Sequence, residues 1–98
     1  MDLNNIHEFE WDENNREKNW EKHRVSTGEC EEVFFNLPLL LAPDLAHSQQ
    51  ESRFFILGKT GAGRLLFIVF TVRKDKIRVI SARDMNRKEK VIYEQKDS

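Results

Sequence analysis

Two long apolar runs meeting at a glycine-bearing turn constrain this chain more than anything else in it. Arg53 to Lys59 and Arg64 to Arg73 are rich in Phe, Ile, Leu and Val, and Thr60-Gly61-Ala62-Gly63 separates them. Aromatic and β-branched residues in runs of this length, joined by a short Gly-containing loop, specify a β-hairpin. Lys74-Asp75 makes a second turn into Ile77 to Ala82. Period-two alternation there puts Ile77, Val79 and Ser81 on one face and Arg78, Ile80 and Ala82 on the other. An antiparallel meander is the expected centre of the fold.

The flanking segments read as helices. Phe9 to Trp11 is a short first strand and Asp12 a helix N-cap. The helix that follows, Glu13 to about Arg24, is polar or charged everywhere except Trp20, so it has no broad apolar stripe to bury. Asn15, Asn19, Lys22 and His23 fall on one face of it. The plain reading of that face is a solvated surface, with Asn19 bridging backbone groups. Ser26 to Glu29 is a capping box, with Val25 and Cys30 placed as a hydrophobic staple. Cys30, Val33, Phe34 and Leu37 then give a second helix its buried stripe, up to Pro38. Leu39 to Ala42 is expected as a strand, and Asp44 to Ser52, with His47, as a polar loop. Asn86 to Glu94 is a last helix, with Met85, Val91 and Ile92 apolar and Arg87, Lys88 and Lys90 solvated. Gln95 to Ser98 is expected to fray. The class is α+β: helices on one face of a small, mostly antiparallel sheet.

With 98 residues the chain is expected to form one domain over 1–98, its core about 8–94. Hydrophobic residues make up 39% and charged residues 34%, the balance of a globule with a wet surface. The longest apolar stretches, Leu37 to Pro43 and Leu65 to Val72, fall far short of the roughly 18 residues a membrane span requires. Met1 to Glu10 lacks the pattern of a signal peptide, and the lone Cys30 has no partner for an internal disulfide, so a reducing cytoplasm is expected.

Net charge is only −1, but it is unevenly spread. Residues 1–52 carry 4 Lys/Arg against 12 Asp/Glu, a balance of −8, and residues 53–98 carry 12 against 5, a balance of +7. Such asymmetry points either to a polyanionic partner or to two halves that attract each other within the fold.

No CxxC, HExxH or His/Cys cluster at metal-ligand spacing is present, and His7, His23 and His47 are isolated, so neither a metal nor a cofactor is expected. Gly58, Gly61 and Gly63 lie between two strands and act as turn residues, not as a phosphate loop. Cys30 belongs to a core stripe with no activating neighbour. Cations gather at strand ends, Arg53, Arg73 and Arg83, and at the start of the last helix, Arg87 and Lys88. Cutting RNA without a metal needs a base for the 2′-hydroxyl, cations around the phosphorane and an acid for the leaving 5′-oxygen. Arginine suits the middle task, because its planar fork pairs two phosphate oxygens. His23, Glu89 or Tyr93 could move the protons.

The order of the pieces is more specific than any one of them. The chain reads Trp11-Asp12, Asn19, Lys22-His23, Val25-Ser26, Glu51-x-Arg53, Gly58, Gly63-Arg64-Leu65-Leu66, Arg73, Ile80-Ser81-Ala82-Arg83, Arg87-Lys88-Glu89 and Tyr93. This resembles the BrnT family of toxins from about residue 8 to 94. The resemblance implies a RelE-like fold, two helices on a small antiparallel sheet with a short C-terminal helix. It also implies a ribonuclease that halts translation, and neutralisation by a BrnA-type antitoxin, a ribbon-helix-helix DNA-binding protein, in a heterotetramer with two toxins. By position it implies catalytic roles for His23, Arg53, Arg83, Glu89 and Tyr93, and RNA binding by Lys22, Arg73, Arg87 and Lys88. The family usually has Lys where Asn15 stands and Gly where Arg24 stands. Those departures leave room for two other readings: a binding module for nucleic acid or antitoxin without turnover, or a degenerate toxin kept as a co-repressor. Arg83 has an architectural reading too, as an ion pair with Glu51 or Asp84 that holds the last helix.

Overall fold

The computed structural model describes residues 8–47 and 51–97. In chain order the elements are β1 (Glu8–Glu10), α1 (Glu13–His23), α2 (Thr27–Phe34), β2 (Leu40–Pro43), β3 (Arg53–Lys59), β4 (Leu65–Arg73), β5 (Lys76–Asp84) and α3 (Arg87–Asp97). A short 3-10 turn, Leu45–His47, follows β2, and the rest of the expected polar loop, residues 48–50, lies outside the described residues, as does His7. The strands form one sheet in the order β1-β5-β4-β3-β2. The hairpin is in place, with Arg53 opposite Thr71 and Lys59 opposite Leu65, and β2 and β5 extend it antiparallel on either side. Only β1 runs parallel to its neighbour, pairing with Lys76 to Arg78 at the start of β5.

The alternation expected along β5 fails half-way. Val79 and Ser81 face adjacent residues of β4, Phe70 and Val69, so Ile80 has no residue opposite and forms a β-bulge. The extra residue shifts the phase of everything after it. Ala82, expected beside Arg78, instead joins Ile77 and Val79 in the core, and Arg83 turns to the face that carries Arg78.

Consecutive residues of β3 point to opposite sides of the sheet. Ile56 packs with Cys30, Val33 and Phe34 of α2, while Leu57 packs with Met85 and with Tyr93 of α3. The last helix therefore lies on the face opposite α2, which corrects the expectation of helices on one side. Gly58 allows α2 to come this close, since a Cβ there would stand 2.7 Å from Val33 Cγ1. Cys30 is buried in this core, and burial pushes its thiol up to about 12, the setting of a packing residue.

The capping box of α2 is formed in both directions, between Ser26 and Glu29. The helix ends at Phe34, earlier than expected, because Phe35 leaves the helical region and the residue before Pro38 is barred from it. Leu37, expected in the stripe, is 78% exposed. At the other end of the chain α3 starts from a reciprocal pair of bonds between Asn86 and Glu89. It continues to Asp97, through residues expected to fray. Val91 and Ile92, expected to be its apolar anchors, are exposed. Tyr93 does that work, with its ring fully buried and its hydroxyl donating to the Pro38 carbonyl at 2.9 Å.

Because β1 stops at Glu10, the edge of β5 beyond Arg78 would be bare, and α1 covers it. Asn19 is buried there and accepts a hydrogen bond from the Ala82 amide at 3.1 Å, so a carboxamide takes the place of a strand neighbour. The opposite-charge reading of the two halves also has a physical form. The pairs Glu8–Lys76, Asp12–Arg78, Glu29–Arg64 and Glu51–Arg73 each join an acid of the first half to a base of the second. Arg64 is the most committed of these, reaching Glu29, Asp84 and the terminal carbonyls His23 O and Arg24 O of α1.

Candidate active site

Among the described residues, α3 packs on one end of its face of the sheet, against Leu57 and Met85. Three cross-strand rows can be read along it from the pairing of β2 to β5. The first row is Leu40, Leu57, Phe67 and Arg83; the second is Ala42, Phe55, Val69 and Ser81; the third is Arg53, Thr71 and Arg78. The first and third rows are four residues apart along the strands, about 13 Å.

Arg83 stands at the α3 end. Its guanidinium makes a two-pronged pair with Glu89, Nη1 to Oε1 at 2.8 Å and Nη2 to Oε2 at 2.9 Å, and donates to the Asp84 carbonyl. Its central carbon lies 4.2 Å from the centroid of the Phe67 ring. The architectural reading of Arg83 was right about the helix and wrong about the partner: Glu89 holds it, not Glu51 or Asp84 side chains. Glu89 is held well below the ordinary carboxylate range by the hydrogen bonds from Arg83, against the opposing effect of burial. A carboxylate so committed keeps Arg83 in place and is a poor proton acceptor.

His23, the last residue of α1, is at the same end of β5; its charge helps to lower Asp84, whose main partner is Arg64. Lys22 beside it is exposed, as are Arg87 and Lys88 in the first turn of α3. Tyr93, expected near the chemistry, is in the core and bonded to Pro38, so its hydroxyl has no route to a substrate.

Arg53 and Arg73 belong to the far end. With Glu51, Thr71, Arg78, Ile80 and Asn15 they line an open cleft of about 280 Å³. Glu51 is paired with Arg73 and is lowered by that bond, and further by the charges of Arg78 and Arg53. Arg78 and Glu51 were not among the expected site residues. Arg78 shares a face with Arg83 only because of the bulge, which a strict alternation hides. Helix α1 spans the two ends, with Asn15 at the cleft, Asn19 at Ala82 and His23 near Asp84, a rise of about 12 Å over eight residues. Among the described residues no group of three or more His, Cys, Asp and Glu is placed to hold a metal ion.

A family model described as the ribonuclease toxin, BrnT, of type II toxin-antitoxin systems matches residues 11–89. The chain belongs to the BrnT family. It is therefore a ribonuclease toxin of a type II toxin–antitoxin pair, with an antitoxin as its partner. The crystal structure of the ribonuclease toxin BrnT of Brucella abortus, at 1.1 Å resolution, is similar with a TM-score of 0.63 and 21% identity. The match covers 84% of this chain and 100% of that one, and it establishes the α+β fold. A search among curated proteins gave no match.

Family membership gives the two departures a structural meaning. Arg24, where BrnT sequences usually have Gly, caps α1 in the left-handed region with φ at 53°, a conformation that glycine adopts without cost. Its guanidinium stands 5.2 Å from the Trp20 ring centroid, a compensating contact. Asn15, where the resemblance leads one to expect Lys, lines the cleft of Arg53, Arg73 and Arg78. No helix among the described residues is long and apolar enough to cross a membrane.

Proposed function

We propose that this protein is a metal-independent endoribonuclease acting in the cytoplasm, one toxin domain over the whole chain, with the chemistry at the Arg83 end of the sheet. Arg83, held by Glu89, stabilises the charge that builds on the phosphorane. Among the three candidates for proton transfer Glu89 is occupied and Tyr93 is buried, which leaves His23 to take the proton of the 2′-hydroxyl and return it to the leaving 5′-oxygen. Arg53 and Arg73 in the cleft, with Lys22, Arg87 and Lys88 at the rim, hold neighbouring phosphates of the RNA. The observation that carries this reading is the bulge at Ile80, which brings Arg83 and Arg78 to one open face. The test is incubation of the purified protein with RNA in excess chelator. Cleavage is expected, and it should disappear in Arg83→Ala and His23→Ala. RNA that stays intact with and without ribosomes would reject the activity.

The antitoxin in this proposal is a BrnA-type ribbon-helix-helix protein that covers the open face, two toxins to an antitoxin dimer. Light scattering of the co-purified pair would contradict this by giving a one-to-one complex. A co-repressor without turnover is the second reading, and Asn15 favours it, because the cleft is one cation short. Growth arrest that is absent in the natural chain and restored by Asn15→Lys would establish that reading.

A further inference from the structure

The open face carries a feature that neither end of it explains. A sheet face turned to water ordinarily presents polar side chains. Here the middle row presents Phe55, half-buried and part of neither hydrophobic core, although it stacks on Phe67 with ring centroids 5.5 Å apart and planes 26° from parallel. The residue beside it on β2 is Ala42, and on the other side stand Val69 and then Ser81, all too small to cover a phenyl ring. Phe67 has the Arg83 guanidinium over its ring, so arginine, Phe67 and Phe55 form a continuous stack running from β5 to β3. Arginines stand in the rows on either side of Phe55, Arg83 with Phe67 in one and Arg53 with Arg78 in the other.

We infer that Phe55, backed by Phe67, is a base-stacking platform that holds an unpaired nucleotide of single-stranded RNA between the two arginine rows. This rests on the ribonuclease reading and adds a substrate class to it. Phosphates on both sides of a splayed base meet the flanking arginines, and the base lies on the Phe55 ring, which any nucleobase can do because each has a π-face. A duplex cannot use the platform, since its bases are stacked on one another. Phe55 is a positioning residue: it holds the strand so that the adjoining phosphate meets Arg83.

The experiment is an affinity scan with uncleavable 2′-O-methyl oligonucleotides of about eight nucleotides. One abasic position is moved along the strand, and the binding protein is either the natural chain or Phe55→Leu, which keeps an apolar side chain and removes the ring. Loss of one base is expected to weaken binding to the natural chain roughly tenfold, equivalent to about 1.4 kcal/mol. Phe55→Leu should bind the intact strand that much more weakly and stop distinguishing the abasic position. Cleavage of natural RNA by the same variant should show a raised KM with kcat changed less. An affinity indifferent to every base overturns the inference and leaves the face to a protein partner. Equal dependence on Phe55 for a fully paired duplex overturns it as well. Because the oligonucleotides are uncut, the scan decides the platform even if the chain cleaves no RNA, and an absence of base dependence in the natural chain overturns it even if Phe55→Leu fails to fold.

Discussion

The two arginine groups on the open face are built differently. Arg83 and Glu89 are mostly shielded from water, with 32% and 16% of their side chains exposed, and Glu89 also caps α3, so the pair is locked into the fold at two points. Arg73 and Glu51 are 49% and 36% exposed and hang at the ends of long side chains. A charge that must meet a transition state needs a fixed position, whereas a charge that gathers substrate works through its field. On the proposed function, the contrast fits chemistry at the Arg83 end and capture at the cleft end.

The sharpest way to break this division is to remove one arginine from each end. Arg83→Ala should lower single-turnover cleavage about 100- to 1000-fold, the usual cost of losing one transition-state donor, and Arg73→Ala less than tenfold. Equal losses would mean the ends share one role. Stability should divide the same way. Glu89→Ala removes a helix cap and a charged pair and should cost about 1–3 kcal/mol in urea unfolding, while Glu51→Ala should leave the midpoint where it was.

Acid gives a smaller contrast. Glu89 and Asp84 are held below the ordinary range chiefly by hydrogen bonds from Arg83 and Arg64 respectively. A depressed folded value means their contribution is complete above about pH 5, where the unfolded carboxylates are largely ionised, and is lost as pH falls through the folded values. Glu89→Gln should flatten part of that acid limb in urea midpoints measured from about pH 7 to pH 3. Smallest of all should be the effect on salt dependence. Arg73→Ala should make the log–log slope of RNA affinity against salt shallower by about 0.7, and Asn15→Lys steeper by a similar amount. Slopes that do not move would take the cleft out of RNA binding.

Local chemistry was legible in the residues. The capping box at Ser26 and the hairpin around Gly61 and Gly63 depend on near neighbours, and each is present, whereas Asn19, expected on a solvated face as a cap or a bridge, bridges to the Ala82 amide from a buried position. What could not be read depends on residues far apart. The face taken by α3 is decided by Tyr93 reaching Pro38, a contact across 55 positions. The exposure of Leu37 follows from where α2 stops, a matter of backbone geometry ahead of a proline. Arg78 gives no signal of its own in the sequence, because it becomes a companion of Arg83 only through a local irregularity in strand pairing. Glu89 was recognised as important, but its role as the clamp of Arg83 shows only in three dimensions.

Ile80 works like a frameshift written in structure instead of in codons. Pairing Ile80 into the ladder would leave the sequence of β5 unchanged and yet turn Arg83 inward toward the α2 side while pushing Ala82 out to solvent. Leaving one residue unpaired spares the strand a choice between its packing and its last arginine, so deletion of Ile80, which closes the bulge with both faces kept, should be better tolerated than an insertion further along the strand.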